Sequence, residues 1–399
     1  MNTRIKSAGG FTLVEVMVAS VMAFIIVAAG SELAASMVRA IRKYEEQGEL
    51  GSRASISSAF IKSALGSTAY NWTAEHVEAT TTTGSFGEGH CALSTNICPS
   101  TKLMRPLEIC SSLNVDETTC GAPTTTSADA IKTVVPRDGT IEAVSIQDFS
   151  VGTLKGSTCS GTGNLSFFVK GSTTEAWAID DLVMVTNNSH VNVGRVAVAF
   201  PANADPAVQR TLQLDLGGLA DFGLDDGGDS SACSPSASLL KAEVMRIKQV
   251  IVKHDDASSA LRYGERSSAA GAMAFSDLTA EVEDFGVRLE IARVPGPSSA
   301  PVGVHNFCTA DATTVLYGAN ATLGAGNCNG ERLNGNISVA PVLRVIGLQL
   351  GLVLRSSVAT QIVNEQVRGV FDRAEVVADD KRLHRTIFFF LGLPNANAF

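Results

Sequence analysis

The sequence has few charges and no excess of basic ones. Only 18% of its 399 residues are charged, and its 31 Lys and Arg are outnumbered by 40 Asp and Glu, which gives a net charge of -9. Proteins that bind nucleic acid need clustered Lys and Arg to neutralise phosphates. We therefore expect no nucleic-acid partner.

Catalytic signatures are also missing. The sequence contains no G-x-S-x-G, H-E-x-x-H or P-loop pattern, and its six histidines are scattered along the chain. His384, next to Arg382 and Arg385, is expected on a solvated face. We predict a protein that is not an enzyme and needs no cofactor; an exported enzyme carried on an anchor is disfavoured.

Metal sites are not favoured by the residue spacing. No C-x-x-C pair is present, and neither His90-Cys91 nor His305-x-x-Cys308 matches a zinc module. The acidic stretch "DFGLDDGGDS" (221–230) and Asp255-Asp256 offer oxygen atoms for calcium, but the first lacks the final Glu of an EF-hand loop. We interpret both as solvated loops and predict no metal site.

One long apolar run lies near the N-terminus. From Phe11 to Gly30 the only charged residue is Glu15, and twenty helical residues at ~1.5 Å each span the ~30 Å hydrocarbon core of a membrane. Arg4 and Lys6 precede the run, which favours a cytoplasmic N-terminus and export of the rest. We predict a transmembrane segment over about residues 11–30.

Glu15 needs a partner in such a segment. A carboxylate inside a membrane costs roughly 2.5–3.5 kcal/mol on insertion scales. An ordinary secretory signal has a shorter apolar region and no carboxylate near its start. If the chain were cut after Gly10, the new amino group of Phe11 would lie one helical turn from Glu15, in the same subunit or in a neighbour.

The stretch "GGFTLVEVMVAS" resembles the N-terminal motif of type IV pilins and of the pilin-like proteins of type II secretion. The resemblance implies that residues 1–10 are a leader, that a prepilin peptidase cleaves between Gly10 and Phe11, and that Phe11 is then N-methylated. It further implies that Glu15 neutralises the N-terminus of an adjacent subunit during assembly. The alternative is an uncleaved anchor with an incidental glutamate.

Export makes the cysteines candidates for disulfides. An even count in an exported chain is typical of disulfide bonding. Sequence neighbours form the simplest pairs, Cys91 with Cys98, Cys110 with Cys120 and Cys308 with Cys328, which leaves Cys159 for Cys233. This pairing is one of roughly 105 connectivities. The eight candidates are Cys91, Cys98, Cys110, Cys120, Cys159, Cys233, Cys308 and Cys328.

The helix is expected to continue beyond the membrane run, to about residue 65. Leu33, Met37, Ile41 and Tyr44 recur at helical spacing, and the apolar face resumes at Ile56, Phe60 and Ile61 after Gly48 and Gly51. The second half of a helix over residues 11–65 therefore carries a stripe that can pack on a domain. The two glycines would allow a bend.

Residues 66–399 have the alternating pattern of strands. We predict an α+β protein in which the long helix packs on a large antiparallel β-rich domain, left open as one domain or two. Residues 79–163, rich in Cys and Thr, are interpreted as an exposed, disulfide-braced, loop-rich insertion. The segment 238–254 is ambiguous, and its Val and Ile favour strand. The predicted strands are "IEAVSIQDFSV", "NLSFFV", "DDLVMV", "VGRVAVAF", "RTLQLDL", "FGVRLEIARV", "RVIGLQLGLVLRS" and "RTIFFFLGL".

The C-terminal 160 residues, with the N-terminal helix, are similar to the PilW family of large minor pilins. The similarity lies in the order of "VMRIKQVIVKHDDASSALRYGE", "LTAEVEDFGVRLEI", "VIGLQLGLVLRS" and "RLHRTIFFFLGLPN". The family usually has an Arg before the final Asn, where this chain has Pro394 before Asn395.

The resemblance implies a minor pilin that helps to initiate and assemble the pilus near its tip. Its partners would be the prepilin peptidase, other minor pilins and the major pilin. The precursor would lie in the inner membrane with its C-terminal domain in the periplasm, and the assembled protein in the pilus at the cell surface. The alternatives are a J-type minor pseudopilin of type II secretion and a pilus-borne adhesin.

Overall fold

A computed structural model describes nearly three fifths of the chain. The ranges are 12–68, 89–91, 103–104, 107–110, 112–113, 120–121, 130–137, 142–149, 164–186, 191–216, 242–294, 305–309, 314–315, 342–359, 365–367, 369–371, 376–378 and 381–392. The disulfide-braced part of the predicted insertion, the side chains of all eight cysteines and the acidic stretch 221–230 lie outside the described residues.

The N-terminal element is one long helix, α1, from Leu13 to Leu65. Thr12 is its N-cap and Gly66 its C-cap, and the helix is continuous through Gly48 and Gly51. Its 53 residues correspond to about 80 Å of rod.

Within the described residues, only the second half of α1 packs on the rest of the protein. Every residue from 12 to 45 is exposed, and burial begins in the next turn. The fully buried positions recur every three or four residues and so form one face: Leu50, Ala54, Ser57, Ile61 and Leu65.

This face differs from the predicted stripe. Leu33, Met37, Ile41 and Tyr44 are all more than half exposed, and so is Ile56. Prediction from large apolar residues missed the docking face because two of its five residues, Ala54 and Ser57, are small. Ile61 is buried as expected.

Strands and the turns that connect them make up the rest of the described chain. In order they are β1 (Gly89–Cys91), β2 (Leu103–Met104), β3 (Leu107–Cys110), β4 (Ser112–Leu113), β5 (Cys120–Gly121), β6 (Ala130–Pro136), β7 (Ala143–Phe149), β8 (Asn164–Lys170), β9 (Leu182–Thr186), β10 (Val191–Val196), β11 (Arg210–Asp215), β12 (Glu243–Asp255), β13 (Ala260–Arg266), β14 (Ala274–Ala280), β15 (Val282–Val294), β16 (His305–Thr309), β17 (Thr314–Val315), β18 (Val342–Ala359), β19 (Glu365–Val367), β20 (Val376–Ala378) and β21 (Arg382–Gly392).

Each of the eight quoted segments overlaps a strand. The ambiguous segment is strand β12, which confirms the prediction made from its Val and Ile content.

Six of these strands close into a small antiparallel barrel. The pairing runs β7–β8–β11–β10–β9–β12, and the first residues of β12 return to pair with β7. Val244 of β12 is in register with Val144 on one side and with Val185 on the other. Closure leaves no open edge within this ring. Apolar side chains fill the interior, and Trp177 and Phe200 join the same core with ring centroids 5.3 Å apart.

The second half of β12 leaves the barrel and pairs with β6 and β13. All seven residues of β6 are buried. This corrects the interpretation of 79–163 as a surface insertion, because residues 130–136 form a core strand. Its sequence, AIKTVVP, has two buried polar residues in the middle, Lys132 and Thr133, so it lacks the continuous apolar run by which a strand buried on both faces is recognised.

A second sheet, ordered β16–β15–β18–β21, covers the buried face of α1. Leu348, Leu350, Leu352 and Leu354 alternate along β18, and all four are fully buried in the core that includes the helix. The result is an α+β architecture in which a long helix packs on antiparallel sheets.

On the opposite face of this sheet, two paired glycines form a cleft. Gly286 of β15 is in register with Gly351 of β18. A Cβ atom at Gly351 would lie 2.3 Å from Val370 Cγ1, and one at Gly286 would lie 2.5 Å from the same methyl group. Val370 is buried there with Val353 and Val367. The glycines therefore leave room for the segment that carries Val370.

Gly351→Ala is expected to destabilise the protein by about 1–3 kcal/mol, because a stiff β-branched side chain must move in a packed core. Denaturant unfolding of the detergent-solubilised full chain measures the effect. The matched control is Gly392→Ala, at which the nearest atom is 3.6 Å away, an ordinary contact. Equal stability of the two variants would contradict this account of the cleft.

Candidate membrane and assembly helix

The predicted processing site adjoins the described chain. Gly10 and Phe11 lie outside the described residues, which begin at Thr12. Glu15 lies in the first turn of α1. The structure thus places the carboxylate at the very start of the helix, where the positive end of the helix dipole favours a negative charge.

Glu15 is held by its own chain in a capping box. The Thr12 backbone N–H donates to Glu15 Oε2 at 2.9 Å, and the Thr12 hydroxyl donates to the same oxygen at 3.1 Å. In return the Glu15 N–H donates to Thr12 Oγ1 at 3.3 Å. Sequence reasoning had treated Glu15 as lacking a local partner. The T-x-x-E pattern of residues 12–15 was the signal that could have identified Thr12.

The helix is exposed and apolar where it extends beyond the β-rich domain, which we call the head. Of the described helices, it alone is long and apolar enough to cross a membrane, with a mean hydropathy of 2.4 over its most apolar 18 residues, none of them buried. Leu13 and Phe24 are each 78% exposed. An apolar surface of this extent must be covered by lipid or by other helices.

Arg53 fixes the docked half of α1 to the sheets. Its guanidinium donates to Thr279 Oγ1 (3.4 Å), to the backbone carbonyl of Arg355 (3.3 Å) and to the carbonyl of Ala280. These acceptors belong to β14 and β18, so one side chain ties the helix to two sheets. Edge-to-face packing of Phe60 on Tyr263 adds a contact with β13.

A second set of polar contacts, centred on Glu281, lies beside those of Arg53. This residue joins β14 to β15 with φ of 54°, a left-handed conformation that non-glycine residues seldom adopt. Its Oε2 accepts hydrogen bonds from Arg355 Nε at 2.6 Å and from Arg382 Nη1 at 2.7 Å. Burial raises the pKa of Glu281, but the two guanidinium groups outweigh it, and the net pKa lies below the ordinary value.

His384 does not lie on a solvated face as the sequence predicted. Its side chain is only 2% exposed, and Nε2 lies 2.9 Å from Glu283 Oε2. Pairing with a carboxylate offsets the cost of burying a polar ring. His384 therefore links β21 to the first residues of β15.

The acidic pair Asp255-Asp256 serves the β12–β13 turn. Asp255 accepts hydrogen bonds from the Ser258 hydroxyl (2.9 Å) and the Ala257 N–H (3.2 Å), which lower its pKa. Asp256 lies 2.9 Å from His254 Nδ1. Within the described residues no group of three or more His, Cys, Asp or Glu is placed to hold a metal ion.

The described geometry is that of a single exposed apolar helix anchored on an antiparallel β-rich head. No family model matches the chain, and no curated protein matches it significantly. Among solved structures, one that matches is a type IV-like pilin from Thermus thermophilus, at 12% identity, with 56% of this chain and 85% of that chain covered and a TM-score of 0.20. Because the TM-score is this low, nothing about function is inferred from the match.

Glu281→Gln is expected to lower stability at pH 7 by about 1 kcal/mol, a modest value because solvent screens a side chain that is 30% exposed. A lowered pKa means that the native contribution is present above the ordinary carboxyl range and is lost as the pH falls through the folded-state pKa. The variant should therefore lose less stability than the wild type between about pH 5 and pH 3. Denaturant unfolding across this range measures the difference. Glu45→Gln, at an exposed helical position, is the control; an unchanged acid slope in Glu281→Gln would contradict the assignment.

Proposed function

We propose that this chain is a minor type IV pilin similar to the PilW family, which helps to initiate and assemble the pilus near its tip. The observation that carries the proposal is the helix itself. Residues 12–45 form an exposed rod about 50 Å long, which carries the Glu15 carboxylate in its first turn, one turn after Phe11.

The exposed length is consistent with two successive environments. The hydrocarbon core of a membrane is ~30 Å thick, so a bilayer covers only part of the rod. The apolar side chains from Leu13 to Ile26 are exposed on all sides, as expected for a segment that leaves lipid to be surrounded by equivalent helices. In this proposal the precursor is inserted in the inner membrane, and its helix then packs with the major pilin and other minor pilins.

Cleavage by a prepilin peptidase would place a charge next to Glu15. The new amino group of Phe11 would precede Thr12, whose backbone N–H already donates to the Glu15 carboxylate. The carboxylate is thus positioned at the end of the rod, where it can meet an amine of its own subunit or of a neighbour. Placement near the tip rests on the large head, which subunits above it would not crowd there.

N-terminal sequencing of the mature protein tests the processing step. We expect N-methylated Phe followed by Thr-Leu-Val-Glu, because the peptidase would cut after Gly10. An intact Met1, or a start near Ser31, would reject cleavage at this bond.

Substitutions of Glu15 separate its charge from its capping role. Glu15→Gln keeps an oxygen that accepts the hydrogen bonds from Thr12 but removes the charge, whereas Thr12→Ala removes the hydroxyl and keeps the charge. We expect Glu15→Gln to insert into the membrane yet to enter pili at least tenfold less often, since pairing with the amine is lost. Thr12→Ala should enter pili nearly normally.

Immunoblots of sheared pili and of membrane fractions measure both quantities. Normal incorporation of Glu15→Gln would remove the assembly role assigned to the charge. Failure of Thr12→Ala alone would instead assign Glu15 to helix capping.

A further inference from the structure

A buried histidine at the end of β12 has a hydrogen-bond acceptor at each of its ring nitrogens. The side chain of His254 is only 5% exposed. Its Nε2 lies 2.9 Å from the backbone carbonyl oxygen of Val282, the first residue of β15. Its Nδ1 lies 2.9 Å from Asp256 Oδ1, in the turn between β12 and β13. The ring therefore bridges this turn and the start of β15.

The two acceptors decide in which protonation state the bridge is favourable. A carbonyl oxygen only accepts, so Nε2 must carry a hydrogen to bond Val282. In the neutral ring Nδ1 then presents a lone pair, which repels the carboxylate oxygen of Asp256. In the imidazolium both nitrogens carry hydrogen, and the positive charge attracts the carboxylate. The bridge is complete only when His254 is protonated.

The contact with Asp256 is electrostatic and partly screened. The carboxylate lies off the direction of a hydrogen bond from Nδ1. Its side chain is 79% exposed, so water weakens the attraction. Exposed ion pairs of this kind change an equilibrium constant by a factor of about 1.5–5. We therefore expect a measurable but modest effect of protonation.

Other charged groups lie in the same turn, at the β14–β15 junction and on the strands paired with it. Three carboxylates among them are engaged by other residues and do not compete for His254. They are Asp255, held by Ser258, Ala257 and Arg262, Glu281, held by Arg355 and Arg382, and Glu283, which lies beside His384.

Two further titratable groups approach the junction from β13 and α1. Tyr263 lies on the same face of the sheet as His254 and stays a neutral phenol, because burial raises its pKa. Arg53 donates to the carbonyl of Ala280, so its positive charge opposes protonation of the ring, but Glu49 lies 3.8 Å from the same guanidinium. Among the described residues, Asp256 is thus the carboxylate placed to pair with His254.

We propose that His254 is a proton-dependent link within the head. Its imidazolium holds the β12–β13 turn, through Asp256, to the start of β15, and loss of the proton releases Asp256. The link needs only the folded head, so it is independent of the proposed membrane insertion, cleavage and pilus assembly.

The link lies close to the attachment of the long helix. Val282 also donates its N–H to the carbonyl of Ser259 at 2.8 Å, in the same turn. Ala280, two residues before Val282, accepts a hydrogen bond from Arg53 of α1. A contact that changes with pH is therefore placed two residues from a point where the head holds the helix.

The link stabilises the head at acidic pH. The attraction exists only with the imidazolium, so its contribution is present at low pH and is lost as the pH rises through the titration of the ring. Carboxylates are ordinarily ionised from pH 5.5 to pH 8. A change in the effect of Asp256 over this range therefore reports the proton on His254.

The variant Asp256→Asn tests the link, because it removes the charge and supplies an N–H that can donate to a neutral Nδ1. We expect its unfolding equilibrium constant to exceed that of the wild type by a factor of about 3–5 at pH 5.5, and by no more than about 1 at pH 8. Denaturant unfolding of the detergent-solubilised full chain at both pH values measures the ratio.

The matched control is Asp205→Asn, which removes the same charge from an exposed position in the connection between β10 and β11. Its ratio to the wild type should be the same at the two pH values. A ratio for Asp256→Asn that also does not change with pH would overturn the proposal.

Nuclear magnetic resonance of the full chain with ¹⁵N-labelled histidine observes the ring directly, and comparison with His254→Gln identifies its signals. We expect both ring nitrogens to be protonated at pH 5.5 and only Nε2 to be protonated after titration, as the Val282 carbonyl requires. In Asp256→Asn the ring should lose its proton at a lower pH than in the wild type. A ring that is neutral at pH 5.5, or one that titrates identically in the two proteins, would show that Asp256 does not hold the imidazolium.

Discussion

The structure depends on one continuous helix whose two parts have different surroundings. The N-terminal part is exposed, and the C-terminal part packs on the sheets. From Glu46 onward α1 buries a face of small and apolar residues against the sheets, and before that point no described part of the chain covers it. A helix that exposes its apolar side chains over about 50 Å is not stable in water, so its cover must come from lipid or from other helices. The proposed membrane insertion and assembly both follow from that requirement.

The direction of the exposed part of α1 is set by how firmly the C-terminal part of the helix is held on the sheets. The junction provides this through polar contacts as well as apolar packing, because Arg53 reaches two sheets and Glu281 joins Arg355 to Arg382. Strand β12 then extends the connection, since its first residues belong to the closed barrel and its last residues to the sheet beside the helix. The orientation of the barrel is thereby linked to the direction of the helix.

Glu15 has a structural and a proposed functional role that share one geometry. In the described chain its carboxylate caps the helix by accepting hydrogen bonds from Thr12. The same position at the end of the rod is where an N-terminal amine would arise on cleavage. A carboxylate already held at the helix terminus loses little conformational entropy when it pairs with that amine, which is consistent with a role in setting the register of neighbouring helices.

The sequence by itself determined the local features: the apolar run, the carboxylate within it, and the strands whose alternation or β-branched content is evident, as in β18 and β12. Periodicity is a property of neighbouring residues, so it needs no knowledge of partners. Only the tertiary structure decided which helix face docks, since Ala54 and Ser57 carry no apolar signal. It also decided that β6 is core, that β12 closes a barrel, and that His384 is buried against Glu283. These features depend on pairing between residues 100 or more positions apart, such as Val144 with Val244, which no local pattern encodes.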